Sequence, residues 1–113
     1  SLGHDAGDKA LVHLAQVVRE TIRPQDSLAR YGGEEFVVIL PDTGLDDAVK
    51  AMVRVQRELT KRFFLHGNEK VLITFICGAA ELAEAETLPE ALKRADGAMY
   101  LAKRQGKNRV LPA

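Results

Sequence analysis

The sequence predicts an α+β sandwich in which three helices pack on a mainly antiparallel sheet, and three observations lead there. Three stretches carry apolar residues at three- and four-residue steps, the helical period. Between them stand short runs rich in β-branched and apolar residues, bounded by Gly, Pro and Asp. The segments follow one another as helix, strand, strand, helix, strand, helix, strand, with no internal repeat and no low-complexity linker, an order suited to helices layered on one sheet.

The first helix is expected over residues 5–22, where Ala10, Leu11, Leu14, Val17, Val18 and Ile22 form one stripe that ends before Pro24. Residues 27–31 and 36–40 read as the two strands of a tight hairpin whose tip is Gly32-Gly33-Glu34-Glu35. The unbroken apolar run 36–40 suggests a central strand covered on both faces. Asp42-Thr43-Gly44 supplies helix-start chemistry, and Ala48, Ala51, Met52, Val55 and Leu59 trace a second helix to about residue 63. His66-Gly67-Asn68 is a turn, and residues 71–77 read as another buried strand. Four Glu and no basic residue between positions 81 and 90 suggest a solvated loop, ending in the helix start Thr87-Leu88-Pro89-Glu90. A third helix follows along Leu92, Ala95, Met99 and Ala102, Gly106 stops it, and residues 108–111 close the fold as a strand. Four strands make a thin sheet for three long helices.

Composition narrows the function. The 113 residues carry 16 Lys+Arg against 16 Asp+Glu, are 46% hydrophobic and 28% charged, and fit one ordinary globular domain. Zero net charge argues against nucleic acid or an anionic membrane as a partner of this domain. No apolar run reaches membrane-spanning length and the start has no secretory leader, so the expected compartment is the cytoplasm, which leaves room for a membrane anchor elsewhere in a parent protein. The single Cys77 cannot form an internal disulfide, and His4, His13 and His66 are too scattered for a zinc module. Neither GxxxxGK[ST] nor GxGxxG is present. The chain has no initiator Met and opens on a turn-like Ser1-Leu2-Gly3-His4, as though it began inside a domain.

Four places could carry chemistry. At the hairpin tip, Gly32 and Gly33 free the backbone to turn and let a bulky ligand approach it, while Glu34 and Glu35, on the following strand, should face opposite sides so that one of them can ligate a hard cation. The same residues would also make a solvated polar turn. Arg23-Pro24-Gln25-Asp26 can present a guanidinium and a carboxylate on one rigid loop, for phosphate and a guanine edge, or it is a surface ion pair. Lys103-Arg104-Gln105-Gly106-Lys107-Asn108-Arg109 carries four cations at a helix end, where they either complement the helix dipole or clamp phosphates. Asp8, near the start of the first helix, is a first-turn dipole partner or a hydrogen-bond acceptor for a ligand.

Together these motifs resemble one family. Leu2-Gly3-His4-Asp5-Ala6-Gly7-Asp8 before an apolar helix, Arg23-x-x-Asp26, Arg30-Tyr31-Gly32-Gly33-Glu34-Glu35-Phe36, and Ala95-Asp96 with Tyr100-x-Ala102-Lys103-x-x-Gly106-x-Asn108-Arg109 are similar, in order and interval, to the GGDEF domain of diguanylate cyclases. Glu34 in place of Asp is a common, functional form of that motif. The resemblance implies a fold related to the palm of nucleotidyl cyclases and polymerases, and the condensation of two GTP into cyclic di-GMP with release of pyrophosphate. It implies a homodimer in which two domains, each holding one GTP, face each other, with Mg²⁺ (or Mn²⁺) as cofactor. Gly32 and Gly33 then make room for the nucleotide, Glu34 ligates the metal and Glu35 supports the acidic centre. Asp8 reads guanine. Lys103 contacts the terminal phosphates, as does Lys107, which keeps the charge but not the fork of a more usual Arg. Arg23 and Asp26, with Arg54 as a secondary arginine, match a site at which cyclic di-GMP inhibits. The acidic tip and the basic cluster would be two halves of one Mg²⁺-nucleotide site.

The chain also departs from the pattern. The family's domain begins with a strand ending in Asp-x-Asp-x-Phe-Lys, followed by a guanine-reading Asn. Neither occurs here. Residues 1–113 are therefore expected to be a partial GGDEF domain lacking its first strand, with little or no activity alone and an apolar strand edge inviting self-association or a domain-swapped dimer. The usual Thr-x-Ser-Ile-Gly reads Thr74-Phe75-Ile76-Cys77-Gly78. The parent is expected to carry an N-terminal sensory or dimerising domain. The alternative functional class is a non-catalytic cyclic di-GMP receptor working through Arg23 and Asp26, and a third reading is a purely structural partner domain.

Overall fold

A computed structural model describes the backbone of residues 2–113 and the side chains of residues 7–113. The order is α1 (Leu2–Thr21), β1 (Ser27–Arg30), β2 (Phe36–Ile39), α2 (Leu45–Lys61), β3 (Phe64–His66), β4 (Glu69–Val71), β5 (Cys77–Ala79), α3 (Leu88–Arg104) and β6 (Val110–Pro112). The α+β class and all three helices are as expected. The Leu2-Gly3-His4 phrase is helical rather than turn-like: α1 starts at Leu2, three residues before the expected residue 5. No helix among the described residues is long and apolar enough to cross a membrane.

The chain forms two compact units. One comprises Ser1–Pro41 and Arg57–Ile73, the other Asp42–Gln56 and Thr74–Ala113. In the first, α1 packs on β1 and β3, and Ala15, Val17, Val18 and Leu59 are buried. β1 and β2 pair antiparallel from Ser27↔Ile39 to Arg30↔Phe36, leaving a five-residue connection. β3 and β4 form a second hairpin with His66 opposite Glu69. Its two-residue turn places Gly67 at φ +64°, the left-handed first position that a type II′ turn demands and that glycine adopts without strain. The sequence signalled this turn, but three-residue strands on either side carry too little periodicity to announce a hairpin.

The second unit is built on α3, which packs against β5 and β6. These two strands pair in parallel, Cys77↔Val110 to Ala79↔Pro112. The helix starts with a full capping box: Thr87 Oγ1 accepts from the Glu90 backbone N–H, and Glu90 returns to the Thr87 N–H, with Pro89 in the first turn. Its most buried residues are Ala91, Ala98 and Ala102; of the expected stripe Ala102 is buried and Leu92, Ala95 and Met99 are half-buried. Gly78 in β5 packs against this face. A Cβ there would overlap Ala95 O and lie 2.5 Å from Met99 N, so strand and helix backbones touch where larger side chains would hold them apart.

Two strand expectations are corrected. Residues 71–77 do not form one buried strand. Val71 ends β4, Cys77 begins β5, and 72–76 join no ladder among the described residues, with Leu72 60% exposed. An apolar β-branched run becomes a strand only where a neighbour offers the matching edge. For the same reason Phe36, Val37 and Val38 are half-buried and Ile39 is exposed, since β1 is β2's one partner among the described residues.

Candidate functional site

The hairpin tip lies between Arg30 and Phe36, the last ladder pair, so Glu34 and Glu35 stand in the bend and not on the strand. Strand alternation does not separate them, and both are exposed. The bend is closed by Tyr31 N donating to Glu35 O at 2.8 Å, with Gly32 N directed at the same oxygen at 3.4 Å. Arg30, whose role sequence reasoning missed, fixes it from inside the loop. Its Nε donates to Gly32 O at 3.3 Å and its Nη2 to Gly33 O. Neither glycine has a left-handed φ, and a Cβ at either would meet nothing within 4 Å. The turn therefore does not require glycine for conformation, contrary to the expectation from sequence, and neither does internal packing. What remains is the open backbone surface itself, available to a bulky ligand.

Arg23 and Asp26 are brought together. Asp26 Oδ1 accepts from Arg23 Nη2 at 2.8 Å, and Oδ2 from Nε at 3.1 Å and from the Arg23 backbone N–H at 2.8 Å. Arg23 Nη2 also donates to Pro41 O at 3.0 Å. The aspartate side chain is 2% exposed and the arginine side chain 43%, so a rigid bidentate fork presents a guanidinium face rather than two separate charges. Asp8 is the seventh residue of α1, too deep for the first-turn dipole role, and lies exposed on the rim of a groove of about 340 Å³ with Lys9, Val12, His13, Phe64 and Leu65. His13 and Phe64 rings pack at 5.3 Å across its floor.

The remaining predicted residues belong to the second unit. Lys103 is exposed in the last turn of α3, and its neighbour Arg104 is spent on the Tyr100 ring, 5.9 Å away. Lys107 and Asn108 are left-handed at φ +30° and +56°, after Gly106 at +101°. Gln56 of α2 donates its Nε2 to Asn108 O at 2.8 Å and to Asn108 Oδ1 at 2.9 Å. Arg54 is exposed on α2.

The glutamate-rich loop is exposed as expected, apart from half-buried Glu86, and it is also tied down. Arg94 Nε and Nη2 grip both oxygens of Glu86 at 2.8 and 2.7 Å, and Nη2 also reaches Glu81 O. The Arg94 fork, followed by the Ala83 backbone N–H, holds the Glu86 carboxyl down to about 2. This clamp keeps Ala85 at φ +66° in the Ala83–Glu86 turn, a place that ordinarily takes glycine. Glu81 Oε1 accepts from Leu45 N at 3.1 Å, capping α2. Burial pushes the Cys77 thiol up to about 11, which favours the neutral thiol over the thiolate.

Glu34 and Glu35 have the donor chemistry for Mg²⁺. The described residues hold no group of three or more His, Cys, Asp or Glu able to cage a metal alone, but Mg²⁺ commonly takes one or two carboxylates and completes its shell with substrate phosphate and water.

Comparison with known proteins places these features. Residues 1–109 match the family described as diguanylate cyclase, GGDEF domain. The response regulator PleD of Caulobacter vibrioides is 41% identical over 98% of this chain, which corresponds to 25% of PleD. The chain spans about a quarter of the length of such curated relatives. Among solved structures, the GGDEF domain of DgcB from Caulobacter crescentus in complex with c-di-GMP superposes with a TM-score of 0.89 at 34% identity, covering 97% of this chain and 66% of that one. The active GGEEF domain of a diguanylate cyclase from Vibrio cholerae gives 0.82 at 29% identity, covering 96% and 69%. The chain belongs to the GGDEF domain family of diguanylate cyclases.

Proposed function

We propose that this domain condenses two GTP into cyclic di-GMP with release of two pyrophosphates, each of two facing copies holding one nucleotide. The 3′-oxygen of each GTP attacks the α-phosphorus of the other, loses its proton, and displaces pyrophosphate as the α–β bridging bond breaks. The observation that carries this reading is the hairpin tip: two glycines that the fold itself does not need, beside two exposed carboxylates, on a loop braced by Arg30. The Vibrio cholerae neighbour, described as an active GGEEF domain, supports Glu at position 34 as a working residue.

Gly32 and Gly33 leave the backbone open to the nucleotide, Glu34 holds Mg²⁺ and Glu35 strengthens the acidic centre. When bound, the metal neutralises charge developing on the reacting phosphates. Asp8 accepts from the guanine edge, and Lys103 and Lys107 contact the terminal phosphates. Cyclic di-GMP returns as inhibitor to the Arg23 guanidinium face, whose pose Asp26 fixes, with Arg54 as a second contact. The cyclic di-GMP complex of DgcB supports a product site on such domains. An N-terminal sensory or dimerising region in the natural protein fits a relative named a response regulator.

The test is the natural protein carrying this sequence, incubated with Mg²⁺ and α-labelled GTP. Cyclic di-GMP should form, and Glu34→Ala should lower the rate at least about 100-fold. Equal rates in both would overturn the reading. Binding of cyclic di-GMP that Arg23→Ala abolishes, without any GTP turnover, would instead establish a receptor.

A further inference from the structure

We propose that Gln56 is a positioning residue that holds Lys107 in place for the terminal phosphates of the nucleotide. The inference rests on the reading of Lys107 as a phosphate contact and adds to it a residue whose side chain lies outside that contact. α3 ends conventionally: Gln105 N donates to Leu101 O at 2.9 Å, and Gly106 follows at φ +101°, the usual glycine after a helix. The chain then stays left-handed for two further residues. Asparagine is among the residue types that visit that conformation readily, whereas lysine, held at φ +30° in Lys107, is not.

Strain of this kind persists only where neighbours over-determine the backbone. Here they do. On one side of Lys107 the helix fixes Gln105. On the other, Gln56 donates both to Asn108 O and to Asn108 Oδ1, and Cys77 N bonds Arg109 O at 2.9 Å where β6 is about to begin. Gln56 can do this because it rides on a rigid stretch of α2, half-buried next to Val55, which is 1% exposed. A mere strap between α3 and β6 would make the same turn with less strain if position 107 were glycine or asparagine. An exposed lysine kept there argues that the ammonium is wanted at that spot.

GTP with Mg²⁺, and separately guanosine, titrated into the parent protein and its variants, decide the matter. Lys107→Ala and Gln56→Leu should each weaken GTP about tenfold, leave guanosine unchanged, and combine without further loss, since both remove one interaction. Gln56→Met, which keeps size and helix propensity but has no N–H donor and no charge, should match Gln56→Leu and guards against a folding defect. Wild-type GTP affinity in both Gln56 variants while Lys107→Ala weakens it overturns the proposal alone, as does additivity in the double variant or an equal loss of guanosine. GTP affinity unmoved by Lys107→Ala, or absent from the parent, refutes the phosphate reading itself.

Discussion

Gly78→Ala tests the closest approach in the second unit. The new Cβ would overlap Ala95 O and sit 2.5 Å from Met99 N and 2.9 Å from Ala95 C. Ordinary contact begins near 3.4 Å, so the strand and helix must separate by about 1.5 Å at Ala95 O. All three of these neighbours are backbone atoms, and no side chain can rotate away to absorb the insertion. Overpacking costs about 1–3 kcal/mol where side chains adjust, and this site should reach the top of that range, about 3 kcal/mol. With a urea slope of roughly 1–3 kcal/mol per molar, the unfolding midpoint should fall by about 1–3 M. Gly97→Ala is the opposing control. It lies in the same helix with nothing within 4 Å of its Cβ, and should stabilise by about 0.5–1 kcal/mol through helix propensity alone. A Gly78→Ala midpoint within about 0.3 M of the parent would refute the close-packing argument, and so would equal shifts in both variants.

Two further outcomes follow from the polar contacts. Arg94 and the Ala83 N–H hold Glu86 near 2 in the folded state, below its ordinary 4.5, so its stabilising contribution is full above pH 4.5 and lost as pH falls towards 2. The urea-midpoint gap between the parent and Glu86→Gln should therefore be present at pH 7 and close on acidification through that window; a gap that widens would contradict the sign. Arg30→Ala should release the carbonyls of Gly32 and Gly33, speeding hydrogen exchange at residues 32–35 and lowering kcat/KM for GTP by about tenfold while the melting temperature moves by only a few degrees. Unchanged exchange in the bend would remove Arg30 as its brace.

The α3 cap was readable from sequence because its cause is local: Thr87 and Glu90 are three residues apart, and the α2 stripe likewise repeats within itself. The ladders were less so, since residues 72–76 have strand composition yet no paired neighbour among the described residues. The chemical residues divide the same way. Gly32, Gly33, Glu34, Arg23 and Asp26 announce themselves as short motifs. Gln56 and Asn108 are 52 positions apart, and Glu81 and Leu45 are 36 apart, so no window on the sequence could join them. Arg30 stood in view within the motif, but a carbonyl contact from a side chain to its own turn has no periodic signature.

The open surroundings of Gly32 and Gly33 have a practical corollary for anyone engineering the protein. With compatible backbone angles and vacant space, alanine at either position should stiffen the unfolded chain and raise stability by about 0.4–1 kcal/mol. A thermal screen, or any scoring scheme trained on folding, would therefore select replacements at the place where the proposed function lays a nucleotide against bare main chain. Improvement by that criterion and loss of catalysis would arrive in the same substitution.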